Sequence, residues 1–465
     1  MHLDPTCPEP RTKQSLRRHI LETMILAWPV IMGQVGNFFI ETVNTMMIGD
    51  MGSLHLSAAS IANSLFMLIA VIGIGVSMAI SPLTARLIGG ERGEEALSRM
   101  LHQGLVSGFW MGILLMGLLF ALAETIPLLG QQPESVPLAQ SYLRILAWSL
   151  PPMLLFLSWK HFLDGFEAVL PGMVLTLSIV VIHLFFNWVL IHGKLGFPAM
   201  GLDGAGWSSL ISRILGVLGI MVYAITSRRF GKYFRVRQIF IHRKSEILAI
   251  FRIGLPSGIQ YLFEVGAFSG AVLLAGRIGQ EEQSAHQIAI QIAYFTYMFY
   301  LGISTAVSIR VGNAMGRKDH PSLRMASIAA VGSGLGFVVL FASLILVTRN
   351  HLPRLYIDEQ SVCDIASSLL LIAAFFQLFD GMQSIVIGAL RGVSDVRIPT
   401  AITFIAYWVI GLPCAFLFSE VFKLGVEGIW YGLTTGLGFS AMLLILRLVN
   451  RIQPKGLAKR STSGI

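Results

Sequence analysis

IFRIGLPSGIQYLFEVGAFSGAVLLAGRIG, residues 250–279, is a nearly unbroken apolar stretch with one carboxylate, Glu264, near its middle. About twenty apolar residues in a helix cross the roughly 30 Å of bilayer hydrocarbon, so this stretch predicts a membrane span. A charge at that depth costs about 2.5–3.5 kcal/mol or more, which makes Glu264 a functional candidate by default.

Comparable runs recur along the 465 residues, which are 54% hydrophobic and 13% charged. A soluble chain carries about a quarter charged residues, and a membrane β-barrel alternates polar and apolar positions; neither pattern fits. The expected fold is an all-α polytopic membrane protein of twelve spans: about 21–48, 57–80, 102–123, 138–159, 168–191, 205–226, 248–275, 286–309, 325–348, 365–388, 398–420 and 427–449. No cleavable signal peptide is expected, because the first apolar segment is long, carries Glu41 and lacks a small-residue cleavage site.

The net charge of +9 does not call for nucleic acid. With the N-terminus inside, 26 of the 34 Lys and Arg fall in cytoplasmic segments and 5 in outer loops, which places both termini in the cytoplasm. Arg144, Arg213 and Arg252 lie in spans or at their ends. The three cysteines, Cys7, Cys363 and Cys414, form no CxxC pair and imply neither a disulfide framework nor a zinc site. No P-loop occurs, so ATP bound by this chain is not the expected driving force.

A shift of 227 residues aligns the two halves of the chain. Pro29 falls on Pro256, Gly49 on Gly276, Gly75 on Gly302, Gly89 on Gly316 and Gly165 on Gly392. Matching Gly and Pro imply matching bends and close helix contacts. The expected organisation is an N-terminal tail (1–20), a six-helix lobe (21–226), a basic cytoplasmic linker (227–247), a second six-helix lobe (248–449) and a C-terminal tail (450–465). Six spans per lobe make these parallel repeats about an axis along the membrane normal, an arrangement that binds substrate near the midplane and alternates access by rocking.

Polar stripes at helical spacing run inside several spans. Gln34, Asn37, Glu41 and Asn44 share a face of the first; Ser257, Gln260, Glu264 and Phe268 of the seventh; Gln287, Gln291, Tyr294 and Met298 of the eighth; Gln377, Asp380 and Ser384 of the tenth. Such stripes face protein or water. Paired carboxylates in a partly dry cavity share a proton or ligate a small cation, so Glu264 and Asp380 form the candidate cation-coupling and Na+ site. The alternative is an acid neutralised structurally by Arg144, Arg213 or a hydroxyl. Glu41, Asn44, Asn37 and Gln34 form a candidate second coupling site. Tyr261, Gln260, Phe268, Gln287, Gln291, Tyr294, Phe376, Gln377 and Gln383 are the expected substrate-cavity residues, in a setting where Tyr261, Phe263, Phe268, Phe295, Tyr297, Phe375, Phe376 and Phe379 supply rings for flat organic cations. His183 with Asn187 reads as a core histidine satisfied by its neighbours.

GLPSGIQYLFEV (254–265), AHQIAIQI (285–292), LGISTAVSIRVGNAMG (301–316), FQLFDGMQSIVIGALRG (376–392) and LGVEGIWYGL (424–433), with WPVIMGQ (28–34) and NTMMIGDMG (44–52), are similar to motifs of the multidrug and toxic compound extrusion (MATE) transporters, in their NorM-like bacterial branch. The resemblance implies a two-lobe antiporter in the bacterial inner membrane. It would export cationic and amphiphilic drugs against Na+ or H+ entry and would be no enzyme. Membrane lipid surrounds it, a monomer is expected, and no cofactor is needed beyond the coupling ion. The resemblance also implies that a seventh-helix Glu and a tenth-helix Asp serve the cation, here Glu264 and Asp380. Two departures stand out: Asn44 where the first helix commonly has Asp, and Phe376 where an aromatic hydroxyl is expected. A lipid-linked precursor flippase is the alternative reading, though basic residues within the spans are scarce. A lipid-metabolising enzyme would want clustered His and Asp, and KHFLDGFE (160–167) and HGK (192–194) are the only hints.

Overall fold

The computed structural model describes residues 16–129, 133–234 and 243–453, and in them the chain is helical almost throughout. Most of both expected tails and residues 235–242 of the basic linker lie outside the described residues. The helices are α1 (Leu16–Gly49), α2 (Ser53–Met78), α3 (Ile80–Gly89), α4 (Glu94–Thr125), α5 (Ser135–Trp148), α6 (Leu150–Gly165), α7 (Val169–His192) and α8 (Gly201–Thr226). They continue with α9 (Lys244–Ile278), α10 (Gln280–Gly316), α11 (His320–Thr348), α12 (Gln360–Gly392), α13 (Arg397–Phe404), α14 (Leu412–Phe416) and α15 (Gly425–Ile452).

Among the described residues, 11 helices are long and apolar enough to cross a membrane. The remaining expected span, 138–159, is divided into α5 and α6 at Ser149. Pro151 and Pro152 open α6 and supply no N–H to the preceding turn, so the first turn of α6 starts afresh there. The two segments still follow one another through a helical Ser149.

Helices α1 and α9 each carry an internal proline, Pro29 and Pro256, at the matching point of the repeat. Beside these prolines the two halves of the chain meet. A Cβ on Gly75 of α2 would stand 2.2 Å from the backbone nitrogen of Gly258 in α9. The partners 227 residues away make the counterpart contact, where a Cβ on Gly302 of α10 would stand 2.3 Å from Ile31 Cγ1 of α1. The same pairing recurs one layer on. A Cβ on Gly89 would lie 2.0 Å from the Asn313 carbonyl oxygen, and one on Gly316 would lie 2.1 Å from that of Arg86. Contacts that repeat with their partners exchanged are the signature of a pseudo-two-fold axis.

Two ion pairs cross the same seam. Arg310 of α10 reaches Glu22 of α1 at 2.7 Å, and Arg99 of α4 reaches Glu246 of α9 at 2.9 Å. Arg310 also donates to the His19 carbonyl and the Thr23 hydroxyl. All these contacts involve the first half of α1 and α9 and the second half of α2 and α10, with α3 between them. The seam therefore belongs to one end of the molecule. Further along, Glu41, Thr45 and Met46 of α1 and Gln287 of α10 are exposed.

Helix α13 runs into two π-helical stretches, Ile405–Gly411 and Leu417–Val421, on either side of α14. Pro413 cannot donate a backbone hydrogen bond, and the wider turns accommodate the gap. This irregularity lies beside α9 and turns Tyr407 inward, where it is 1% exposed.

Candidate functional site

Glu264 and Asp380 come from α9 and α12, and both are buried. They lie near enough for their charges to interact. One Glu264 carboxylate oxygen accepts from the Gln260 amide at 3.2 Å and the Gln383 amide at 3.4 Å. The same Gln383 nitrogen donates to the Tyr407 hydroxyl at 3.1 Å. Tyr297 and Tyr407 are within electrostatic reach of both carboxylates. Among the described residues, neither acid forms an ion pair. A small pocket opens here, bordered by Gln260, Tyr261, Glu264, Tyr297, Gln383 and Ser384.

Helical spacing explains this convergence. Gln260 precedes Glu264 by one turn on α9, and Asp380, Gln383 and Ser384 follow each other on one face of α12. Gln377, one turn before Asp380, is fully buried and accepts from the Tyr300 hydroxyl at 2.9 Å. That bond ties α12 to α10. Phe376 is buried between Phe268 and Trp430, with ring centroids 6.1 and 5.5 Å away. The Tyr407 ring packs on the other side of Phe268, at 5.9 Å.

Several expected members lie elsewhere. Tyr294 contacts Phe38 of α1 and is within electrostatic reach of Glu41, so it belongs to the α1 side of α10. Gln287 is exposed and Gln291 half-buried, and neither makes a side-chain hydrogen bond with the described residues. Phe375 and Phe379 are exposed, because they sit about 100° around α12 from Phe376 and Asp380. Phe263 packs on Phe404, and Phe295 on Phe38. The expected ring of eight aromatics around the acids thus reduces to Tyr261, Tyr297, Phe268 and Phe376. Tyr407 joins it, although residue-by-residue reading had not singled it out. Its only sequence signal is a phenol inside an apolar run, and such a hydroxyl usually finds a partner.

The α1 stripe forms a second polar region. Gln34 accepts from Asn37 at 3.4 Å, Glu41 is exposed, and Asn44 accepts from the Asn187 amide at 2.7 Å. His183 contacts Asn187 at 3.4 Å and Ser212 at 3.5 Å, so this histidine does find its partners within the helices. Neither arginine expected to neutralise the buried acids does so. Arg144 pairs with Glu124 at 2.5 Å, and Arg213 donates to Ser149.

A helical membrane bundle whose halves repeat, with unpaired carboxylates buried between helices, defines a secondary-transporter class of protein. The MatE family model matches residues 29–189 and 256–417, two stretches whose starts lie 227 residues apart. The chain is 33% identical over 443 residues to a probable multidrug resistance protein NorM of Rhodopseudomonas palustris, covering 94% of this chain and 93% of that one. It is 31% identical to the multidrug resistance protein NorM of Aliivibrio fischeri, covering 93% and 95%. Among solved structures it is similar to the eukaryotic MATE transporter AtDTX14, with TM-score 0.87, 24% identity and coverage of 96% and 98%. It is also similar to a multidrug resistance MATE family transporter of the MOP superfamily in an outward-facing conformation, with TM-score 0.86, 20% identity and coverage of 96% and 97%. The chain belongs to the MATE family of multi-pass membrane transporters and is not an enzyme.

Proposed function

We propose that this chain is a secondary antiporter that exports cationic or amphiphilic compounds from the cytoplasm in exchange for Na+ or H+. The observation that carries the reading is the Glu264–Asp380 pair: two buried acids within reach of each other's charge, with only neutral donors around Glu264. Two negative charges in a low-dielectric site repel, and a bound cation or proton relieves that cost. Cation entry and substrate binding then exclude one another, which couples the two fluxes.

Residues 21–226 and 248–449 act as the two lobes, with the 227–247 linker and both termini on the cytoplasmic side of a bacterial inner membrane. Most of the basic residues lie on that side, which supports the orientation. The glycine seam and the two crossing ion pairs then close the cytoplasmic end of this conformer. Glu41, Asn44, Asn37 and Gln34 form a second polar site in the first lobe. The working unit is a monomer in lipid.

Purified protein in liposomes loaded with a fluorescent organic cation tests this. A Na+ gradient at clamped pH, or a pH gradient without Na+, drives dye movement in the wild type, and Glu264→Gln abolishes it. Movement under neither gradient would remove the antiport reading and favour a lipid-linked precursor flippase.

A further inference from the structure

Half-way along α8 lies a guanidinium that the coupling site does not use. Arg213 is partly buried, and its charge is felt by Glu41, Tyr142 and His183. It makes one hydrogen bond, to the Ser149 hydroxyl, and its Cζ stands 4.9 Å over the Phe66 ring. Among the described residues no carboxylate lies within ion-pair distance of it. A cation at membrane depth without a contacting anion is costly, and such a charge marks a functional site.

The surroundings are polar and uncharged. Asn44 comes from α1, Asn63 from α2, Tyr142 from α5, His183 and Asn187 from α7, and Ser212 from α8 itself. The Tyr142 hydroxyl reaches Asn63 at 3.5 Å, and Asn187 bonds Asn44. Asn187 is fully buried, and its Oδ1 has no partner. This region therefore holds a free acceptor beside a guanidinium with donors to spare. Glu41 sits one turn before Asn44, exposed, beyond ion-pair distance of Arg213 but within reach of its charge. Glu41 also lies within reach of Tyr294 on α10, so it faces the space between the two halves of the chain.

We propose that Arg213 is the carboxylate-binding residue of a subsite for zwitterionic amphiphiles, with Glu41 taking the cationic end of the same molecule. The planar guanidinium fork matches a carboxylate in two parallel hydrogen bonds, which an ammonium or an amide cannot reproduce. Opposite charges held apart by the scaffold fit a ligand whose own charges are held apart. A simple cation gains from Glu41 alone and is repelled by Arg213. Arg213 thereby determines specificity for the carboxylate without touching the Glu264–Asp380 pair. The inference rests on the reading of the chain as a binder and exporter of organic cations.

Rhodamine 110 and rhodamine 123 isolate the charge in question, since the second is the methyl ester of the first. Binding of each dye to the purified full-length protein in lipid nanodiscs is read by fluorescence anisotropy. The wild type should bind both. Arg213→Gln should weaken rhodamine 110 at least tenfold and change rhodamine 123 less than twofold, and Glu41→Gln should weaken both. Arg213→Lys keeps the charge but loses the fork. It should weaken rhodamine 110 severalfold, and it decides the matter if the Gln variant does not fold. Equal loss of both dyes in the Arg213 variants, or no loss of either, would overturn the assignment. A wild type that binds rhodamine 123 but not rhodamine 110 would overturn it while leaving the antiport reading intact. A wild type that binds neither would count against both.

Discussion

Gly75→Ala should pry open the seam between the two halves of the chain, whereas Gly302→Ala, at the matching position of the repeat, should barely move it. The Cβ added at Gly75 would meet the Gly258 nitrogen at 2.2 Å and its Cα at 2.3 Å. Both are backbone atoms of a packed helix and cannot rotate away. Ordinary contact needs about 3.4 Å or more, so α2 and α9 must separate by about 1 Å or bend. At Gly302 the nearest atom, at 2.3 Å, is Cγ1 of Ile31, which a rotamer change can withdraw, and the next is 3.1 Å away. Overpacking of this kind costs about 1–3 kcal/mol. If it acts only on the conformer closed at this end, it shifts the balance about 5- to 150-fold toward the opposite one. Spin labels at Arg92 and Arg317, both exposed beside the seam, report the separation by pulsed electron–electron resonance. Gly75→Ala should add or enlarge a long-distance population, and Gly302→Ala should resemble the parent. An unchanged distribution in Gly75→Ala, or a larger shift in Gly302→Ala, would refute the claim that backbone contact at Gly258 holds this end shut.

Other expectations follow from single contacts. Asp380→Asn removes the charge repulsion with Glu264, so it should abolish gradient-driven dye export in liposomes while leaving the melting temperature within a few degrees. Glu22→Ala takes the carboxylate from Arg310, whose side chain is 10% exposed in its pair with Glu22. It should lower the melting temperature and increase maleimide labelling of a cysteine placed at Ser257, with unchanged labelling counting against the pair as a latch. Asp319 caps α11 by accepting from the Ser322 backbone N–H at 3.0 Å. Burial pushes its carboxyl up, but the Ser322 bonds and Arg317 outweigh this and leave it below the ordinary value. Its stabilisation is therefore present at neutral pH and lost as the pH falls from the usual Asp range through the lowered value. Amide exchange at the start of α11 should quicken over that window in the parent but not in Asp319→Ala.

Much of this architecture is legible in the chain because the membrane simplifies the problem. Every backbone group must bond within its own segment, so an apolar run of span length is a helix. The repeat is legible for a related reason: Gly75, Gly302, Gly89 and Gly316 must stay small where helices touch, and the constraint survives in both halves. The buried acids could be found because a charge in hydrocarbon needs an explanation. What escaped was direction around and between helices. Periodicity groups Phe375 and Phe379 with Phe376 as neighbours in sequence, but a turn of about 100° per residue sends them outward. It groups Tyr294 with the eighth-span stripe, but only packing reveals that this stripe looks toward Phe38 and Glu41. The division of the fourth span at Ser149 was foreshadowed by Pro151 and Pro152. The π-helical turns around Tyr407 had no comparable marker.

Tyr407 bears on the departure noted at Phe376. A phenol expected on the tenth span is absent there, and the Phe376 ring is enclosed by Phe268 and Trp430, in a layer with no polar group from α9. The hydroxyl near the acids comes instead from the eleventh span, through the irregular helix beside Pro413. Because Gln383 donates to both Tyr407 and Glu264, the tyrosine oxygen helps fix the amide that touches the carboxylate. Tyr407→Phe keeps the ring against Phe268 and removes only that acceptor. A buried amide left without it costs about 1–3 kcal/mol, and Gln383 would turn to find another partner. The expected result is a weaker coupling ion at Glu264, about fivefold or more, seen as a higher Na+ or H+ concentration for half-maximal dye export, with the maximal rate nearly kept. Loss of the maximal rate with an unchanged half-maximal concentration would instead place Tyr407 in the conformational cycle. No change in either would mean that the coupling site works without a phenol.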